Sequence, residues 1–128
     1  MKKEILNLPN VKQPDYPYNQ VVKAGNTLYL SGQVSCDLQS GQFILGNIEI
    51  QTKNALENIK YLLENSNSSM NNILKVVVYM KNIFEVDKMN EIYKMYFKKN
   101  ELPTRVAIQT TFPNKNIEIE LEVVALTN

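Results

Sequence analysis

The hydrophobic and polar positions at the start of the chain follow the two-residue period of β-strands. Residues 20–24 and 27–34 are such segments, and Gly25-Asn26 between them tolerates the positive φ of a tight hairpin. Beyond a turn-rich stretch, Phe43-Ile44-Leu45 is interpreted as a short third strand that ends at Gly46. The sequence therefore predicts an antiparallel opening of three strands.

From Ile48 onward the apolar positions recur with the period of a helix. One stripe carries the apolar side chains, which are Ala55, Leu56, Ile59, Leu62 and Leu63. The rest of the surface is polar, so one face should pack and the other should meet water. The Asn/Ser run over 65–69 should end this helix, because short polar side chains compete for backbone hydrogen bonds.

The second half repeats the change of period. Ile73 to Met80 is a β-branched run suited to a strand covered on both faces, and Asn82 is a plausible cap for a second helix. The side chains expected to point inward from that helix are Val86, Met89, Tyr93, Tyr96 and Phe97. Pro103 should end it, and residues 105–110 and 117–125 are predicted to be the closing strands.

The predicted order is βββαβαββ, which indicates one α+β domain over residues 1–128 with a mixed sheet. Each helix has a single apolar stripe, so both helices should lie on the same face of the sheet. No third helix is predicted to cover the other face. We therefore expect that face to be buried by self-association.

The composition favours a globular protein over a membrane-spanning protein or one with a broad nucleic acid-binding surface. The chain is 44% hydrophobic and 21% charged, which is typical of a globular protein, and its net charge of +1 offers no broad basic field for nucleic acid. Its longest apolar run, Val76 to Met80, is far too short to span a membrane, and no export signal is visible, so a cytoplasmic location is expected. The single cysteine, Cys36, fits a reducing compartment and is given no role.

The chain contains no histidine. This removes the usual zinc ligand, the usual base of a catalytic triad and the usual acid–base pair for RNA cleavage. The four glycines form neither a P-loop nor a dinucleotide fingerprint. We therefore expect neither a metal nor a cofactor.

Two charged groups are candidates for chemistry. Arg105 starts a predicted strand after Pro103, where a fixed guanidinium could bind a carboxylate bidentately, although composition alone favours an ordinary surface ion pair. Glu118, Glu120 and Glu122 alternate with apolar residues and so share one face of a strand. Most such rows are solvated faces, but like charges raise carboxylate pKa values, and central Glu120 could act as acid–base or hold a water. Tyr18, Ser31 and Gly32 could close around a small substrate, although their spacing alone does not select them.

The chain resembles the RidA (YjgF) family through several linked motifs. These are residues 17–26 (PYNQVVKAGN), 31–33 (SGQ), 51–58 (QTKNALEN), 75–80 (KVVVYM), 90–93 (NEIY), 103–105 (PTR) and 119–125 (IELEVVA). They cover almost the whole domain in the family's order. The departures from the family pattern are Tyr16, Thr104, Val106-Ala107 and residues 109–113, which leave substrate preference open.

The resemblance implies a chorismate mutase-like fold, a homotrimer built over the inner sheet face, and active sites in clefts between subunits. It implies that Arg105 grips a substrate carboxylate and that Glu120 lies near the attacking water. The other positions it places at the substrate are Tyr18, Ser31, Gly32 and Asn90, with backbone groups near Ala107 and Gly32 orienting the imine.

The implied reaction is hydrolytic deamination of 2-aminoacrylate-type enamines and imines to 2-keto acids and ammonia. Such substrates come from dehydratases that use pyridoxal phosphate, which implies a functional link to those enzymes. Two alternatives stay open. One is an endoribonuclease or translation inhibitor, an activity also ascribed to some family members, and the other is a noncatalytic trimer that binds small carboxylates.

Overall fold

The computed structural model describes residues 2–128. The strands are β1 Lys3–Leu6, β2 Val21–Ala24, β3 Thr27–Leu30, β4 Ile73–Met80, β5 Thr104–Gln109 and β6 Ile119–Leu126. The helices are α1 Ile48–Glu64 and α2 Val86–Tyr93, and short 3-10 turns occupy Met70–Asn72, Ile83–Glu85, Lys94–Tyr96 and Lys99–Glu101. Among these residues, none of the helices has the length and apolarity that crossing a membrane requires.

The strands form one six-stranded sheet in the order β1-β2-β3-β6-β4-β5. Every neighbouring pair is antiparallel except β4 and β5, which run parallel. The predicted α+β class with a mixed sheet is confirmed. The last strand of the chain, β6, therefore lies between the hairpin of the first half and the parallel pair of the second half.

Helix α1 forms where its stripe predicts. The side chain of Asn47 accepts a hydrogen bond from the Ile50 amide at 2.9 Å and so caps the first turn. The predicted inward residues are all buried, and they are Ala55, Leu56, Ile59, Leu62 and Leu63. The chain leaves the helix at Asn65, and Asn67 takes a φ of 58°, a left-handed conformation that asparagine tolerates better than most residues.

The start of the second helix differs slightly from its prediction. Asn82 accepts a hydrogen bond from the Phe84 amide at 3.0 Å, but it caps the 3-10 turn Ile83–Glu85 rather than α2 directly. Met89, Tyr93 and the later Phe97 are buried, as the stripe predicts. The remaining two predicted residues, Val86 and Tyr96, are partly buried against the same core.

Two of the three predicted opening strands are confirmed as β2 and β3, but the third opening strand is not the one predicted. The first is Lys3–Leu6, which pairs antiparallel with β2, whereas Phe43 makes only an isolated bridge with Cys36 and residues 43–45 form no strand. A four-residue charged edge strand has little alternation by which a sequence pattern could reveal it. β3 also ends at Leu30, four residues earlier than expected, because beyond it only Gln33 bridges to β6.

Only one face of the sheet is covered within the chain. On β4, Val76, Val78 and Met80 are buried under the helices, whereas Val77 and Tyr79 on the opposite face are partly exposed. The prediction that this strand is covered on both faces is therefore wrong for a single chain. The open face carries apolar side chains that are between 40% and 51% exposed, namely Ile5, Tyr29, Val106, Ile108 and Leu126. The expected open face is confirmed, and its burial by self-association stays a prediction.

A buried glutamine joins α1 to the entry of β6. The Gln51 amide nitrogen donates to the carbonyl oxygens of Gly46 at 3.0 Å and Asn116 at 2.9 Å. Its side-chain oxygen accepts from the Glu118 amide at 2.8 Å. Gln51 is 0% exposed, so its own buried amide is satisfied by these three bonds with the backbone and not by water.

We predict that Gln51→Leu lowers the free energy of unfolding by about 3 kcal/mol, because it leaves three backbone groups without their partner. Urea denaturation at a fixed protein concentration measures the change. Gln39→Leu, at an exposed glutamine, is the matched control and should change stability by less than about 0.5 kcal/mol. Equal stability of the two variants would contradict the structural role of Gln51.

Candidate functional site

Arg105 lies on the edge strand β5 and faces the helices. It pairs with Val76 of β4, whose side chain points into the helix-covered core. One guanidinium nitrogen, Nη1, donates to the Asn90 side-chain oxygen at 2.7 Å, and the guanidinium carbon lies 4.8 Å from the centroid of the Tyr93 ring. Within residues 2–128 no Asp or Glu forms an ion pair with Arg105, so the ordinary surface ion pair is not what holds it.

The surface around Arg105 is a depression of about 330 Å³. Its lining residues are Asn90, Tyr93, Lys94, Leu102, Pro103 and Arg105. Ala107 points to the same side of β5, two residues further along, and is partly buried against the core. Arg105, Asn90 and Ala107 are thus brought together, with a cation in a mixed polar and apolar hollow that suits a small carboxylate.

Glu120 lies on the opposite, open face of the sheet. It pairs with Tyr79 of β4, three positions beyond the Val76 that pairs with Arg105, and side chains an odd number of positions apart point to opposite faces. Burial raises the pKa of the Glu120 carboxyl, and the neighbouring negative charge of Glu122 raises it further. The expected effect of like charge is present, but desolvation is the larger cause.

The other members of the glutamate row have separate partners. The Tyr79 hydroxyl donates to Glu122 at 2.9 Å, and this hydrogen bond is the main reason that the pKa of Tyr79 is raised. Glu118 lies before β6 and forms an ion pair with Lys81 at 3.6 Å. Among the three glutamates, Glu120 therefore stays the candidate for holding a water.

Gly32 is the close neighbour of Glu120. A β-carbon placed on Gly32 would lie 2.5 Å from Oε2 of Glu120, so the carboxylate occupies space that only a glycine leaves free. Gly32 and the 49% exposed Tyr18 line a second depression of about 310 Å³. The Ser31 hydroxyl next to them donates to the Asn19 carbonyl oxygen at 2.6 Å, which leaves its lone pairs free to accept.

The candidate residues thus form two groups on different faces of the sheet. The first group is Arg105, Asn90 and Ala107 on the helix side of β5. In the second group, Glu120 on the open face of β6 contacts Gly32, Ser31 is next to Gly32 in the chain, and Tyr18 lines a depression that Gly32 also lines. Within one chain the structure does not bring the two groups together. We call them the arginine half-site and the glutamate half-site.

The family model described as Endoribonuclease L-PSP matches residues 10–127. A human 2-iminobutanoate/2-iminopropanoate deaminase is 38% identical over 110 residues, covering 86% of this chain and 80% of the human one. The chain belongs to the RidA (YjgF) family. A RutC family protein of Pyrococcus horikoshii is 41% identical over 123 residues, covering 96% of this chain and 97% of that protein.

Solved structures share the fold over all or nearly all of the chain. A crystal structure of a putative endoribonuclease from Thermotoga maritima aligns with a TM-score of 0.88 and 30% identity, covering 100% of this chain and 99% of the other. The structure of E. coli TdcF with bound serine aligns with a TM-score of 0.84 and 25% identity, covering 98% of this chain and 99% of the other.

Sequence reasoning missed Tyr93 as a neighbour of Arg105 in this RidA-family chain and treated it only as a core residue. Asn90 and Tyr93 are three residues apart and so lie on the same face of α2. That spacing was a usable signal, because a group that contacts Asn90 lies beside Tyr93 as well.

We predict that Gly32→Ala displaces the Glu120 carboxylate, because the added methyl overlaps it, and destabilises the chain by only about 1 kcal/mol, since the end of a flexible side chain can move aside. In a Glu120→Ala background the same substitution should cost less than about 0.5 kcal/mol, since the obstructing side chain is gone. Urea denaturation of the four proteins in this double-mutant cycle measures the coupling. Additive effects would show that Gly32 does not make room for Glu120.

Proposed function

We propose that this chain hydrolyses reactive enamines and imines of the 2-aminoacrylate type to 2-keto acids and ammonia. The observation that carries the proposal is the guanidinium of Arg105, held by Asn90 and Tyr93 and without an acidic partner in residues 2–128. The same reaction type is in the names of the human, mouse and mite relatives, which are 38%, 36% and 30% identical.

Hydrolysis of an imine depends more on the positioning of substrate and water than on strong acid–base catalysis. The imine form has an electrophilic carbon that water attacks to give a carbinolamine, whose C–N bond then breaks to release ammonia and leave the keto group. One water is consumed, and no electrons are transferred. Holding substrate and water in place can therefore supply most of the acceleration without a metal or a cofactor.

Each half-site would contribute one part of this reaction. Arg105 would bind the substrate carboxylate, and backbone groups near Ala107 and Gly32 would orient the imine. Glu120 would accept a proton from the attacking water and return it to the departing ammonia, a role suited to a carboxyl whose raised pKa lies closer to neutrality. Tyr18 would shield the cleft, and the free lone pairs of Ser31 would accept from the imine nitrogen.

The arrangement supports a homotrimer with its sites between subunits. Arg105 and Glu120 face opposite sides of the sheet, so one chain cannot place both on the same small substrate. The half-exposed apolar side chains of the open face would be buried by a neighbouring copy. We place the protein in the cytoplasm, where pyridoxal phosphate-dependent dehydratases would release such substrates.

We expect Arg105→Ala to lower kcat/KM for deamination by about 100-fold, because it removes charge-assisted hydrogen bonds to the carboxylate. The assay follows ammonia or keto-acid release from 2-aminoacrylate generated in place by a serine dehydratase. Lys98→Ala, which removes an exposed cation nearby in the chain, should match wild type. Unchanged turnover in Arg105→Ala would refute the carboxylate clamp.

We also predict that two inactive variants restore activity when assembled together. If each site takes Arg105 from one chain and Glu120 from the next, co-refolding equal amounts of Arg105→Ala and Glu120→Gln leaves about a quarter of the sites intact. The specific activity should then reach about a quarter of wild type, whereas each variant refolded alone should show only a small residual activity, as expected above for Arg105→Ala. Mixed trimers without recovered activity would show that the two groups do not act across subunits.

Two further candidates have an observation in their favour. E. coli TdcF with bound serine is a relative in fold that holds a small carboxylate, which favours a noncatalytic binding trimer. The description Endoribonuclease L-PSP favours RNA cleavage, although this chain has no histidine. Ligand-induced thermal stabilisation without turnover would support the first, and RNA cleavage that is lost in a site variant would support the second.

A further inference from the structure

Tyr93 lies between Arg105 and the core. Tyr93 is buried, with only 5% of its surface exposed, and its ring centroid is 4.8 Å from the guanidinium carbon of Arg105. The Tyr93 hydroxyl has no hydrogen-bond partner within residues 2–128. A buried tyrosine ordinarily bonds its hydroxyl. Here the hydroxyl lies near the Arg105 guanidinium but outside regular hydrogen-bond geometry, and the contact of Arg105 with the Tyr93 ring is the better defined of the two.

The Tyr93 ring packs against a second aromatic ring in the core. The Tyr93 and Phe97 ring centroids are 4.7 Å apart with 37° between the planes, and both residues belong to the hydrophobic core. Met89, one helical turn earlier on α2, is fully buried in the same core. The Tyr93 ring that contacts the guanidinium is therefore held in one orientation by core packing.

The charge state of Tyr93 is consistent with contact through the ring. Burial raises its pKa to about 12, although the charge of Arg105 and an imperfectly aligned contact between Arg105 and the hydroxyl act in the opposite direction. The hydroxyl consequently stays neutral near pH 7, and Tyr93 does not pair with Arg105 as a phenolate. The neutral side chain attracts the cation mainly through the face of its aromatic ring.

We infer that Tyr93 is a positioning residue that orients Arg105 for bidentate binding of the substrate carboxylate. The ring 4.8 Å from the guanidinium carbon would limit the tilt of the guanidinium, and the bond from Nη1 to Asn90 would limit its rotation. Within residues 2–128, the hydrogen bond of regular geometry that the guanidinium makes is the one from Nη1, so the edge formed by Nε and Nη2 can offer the two parallel donors that a carboxylate needs. The inference rests on the proposed function and assigns a role that Asn90 alone cannot supply.

The test separates Tyr93→Leu, which removes the ring, from Tyr93→Phe, which keeps it. Loss of a cation–π contact of about 1 kcal/mol corresponds to about a 5-fold change in binding. Tyr93→Leu should therefore raise KM about 5-fold with kcat changed by less than about twofold, and Tyr93→Phe should match wild type. The dissociation constant of 2-oxobutanoate, a stable keto-acid probe, should shift by the same factor in calorimetry.

Two controls separate positioning from folding. Tyr96, in the 3-10 turn that follows α2, is partly buried against the same core, and its hydroxyl donates a hydrogen bond to Glu57 at 2.5 Å. Tyr96→Leu therefore removes a comparable tyrosine and should leave KM unchanged. Tyr93→Met, which refills the core with a flexible apolar side chain, is the second ring-free variant if Tyr93→Leu does not fold. A merely structural role would lower the active fraction, and hence kcat, without moving KM or the dissociation constant.

The outcomes are distinguishable. Unchanged KM and keto-acid affinity in both ring-free variants, or an equal change in Tyr96→Leu, would overturn the role of Tyr93. Wild type that binds 2-oxobutanoate but does not deaminate would refute the proposed reaction, and the shift in the dissociation constant would still test Tyr93. Wild type that neither binds nor turns over would refute both.

Discussion

The two faces of β6 determine most of what this chain can do. The strand lies at the middle of the sheet, so alternate side chains must enter either the helix-covered core or the open face. Ile119, Leu121 and Val123 take the core side and are fully or almost fully buried. Glu120 and Glu122 are thereby placed on the open face, where desolvation and mutual repulsion raise the pKa of Glu120.

The parallel pair explains why Arg105 finds its partners. A parallel connection requires a crossover, and here α2 is the crossover element between β4 and β5. The helix must pack on the covered face beside the strand that it leads to. Asn90 and Tyr93, which share one side of α2, therefore lie against the first residues of β5. The local geometry of the arginine half-site follows from the connectivity of the fold.

The sequence predicted best the helix and the strand that have long periodic runs of apolar residues. The bounds of β4 were predicted residue for residue, and α1 begins at Ile48 as its period indicates. The short edge strand β1 and the irregular segment over 43–45 were misassigned, because four residues with charges contain too little periodicity to reveal pairing. Arg105 and Glu120 were identifiable as candidates, but their placement on opposite faces depends on the register between strands that are distant in sequence.

Assembly over the open face would bury Glu120 and Glu122, and Glu120 is also the carboxylate that we propose for catalysis. Burial already raises the pKa of Glu120 in a single chain, and a second copy seated on the open face would remove more water from it and from Glu122. Covering the face would thus stabilise apolar residues such as Val106 and Ile108 while penalising the two charges. The hydrogen bond from Tyr79 offsets part of this penalty at Glu122, whereas Glu120 has no hydrogen-bonded side chain within residues 2–128. The carboxyl left without compensation is the one that we propose exchanges protons with water, so the cost of burying it would be the source of its reactivity.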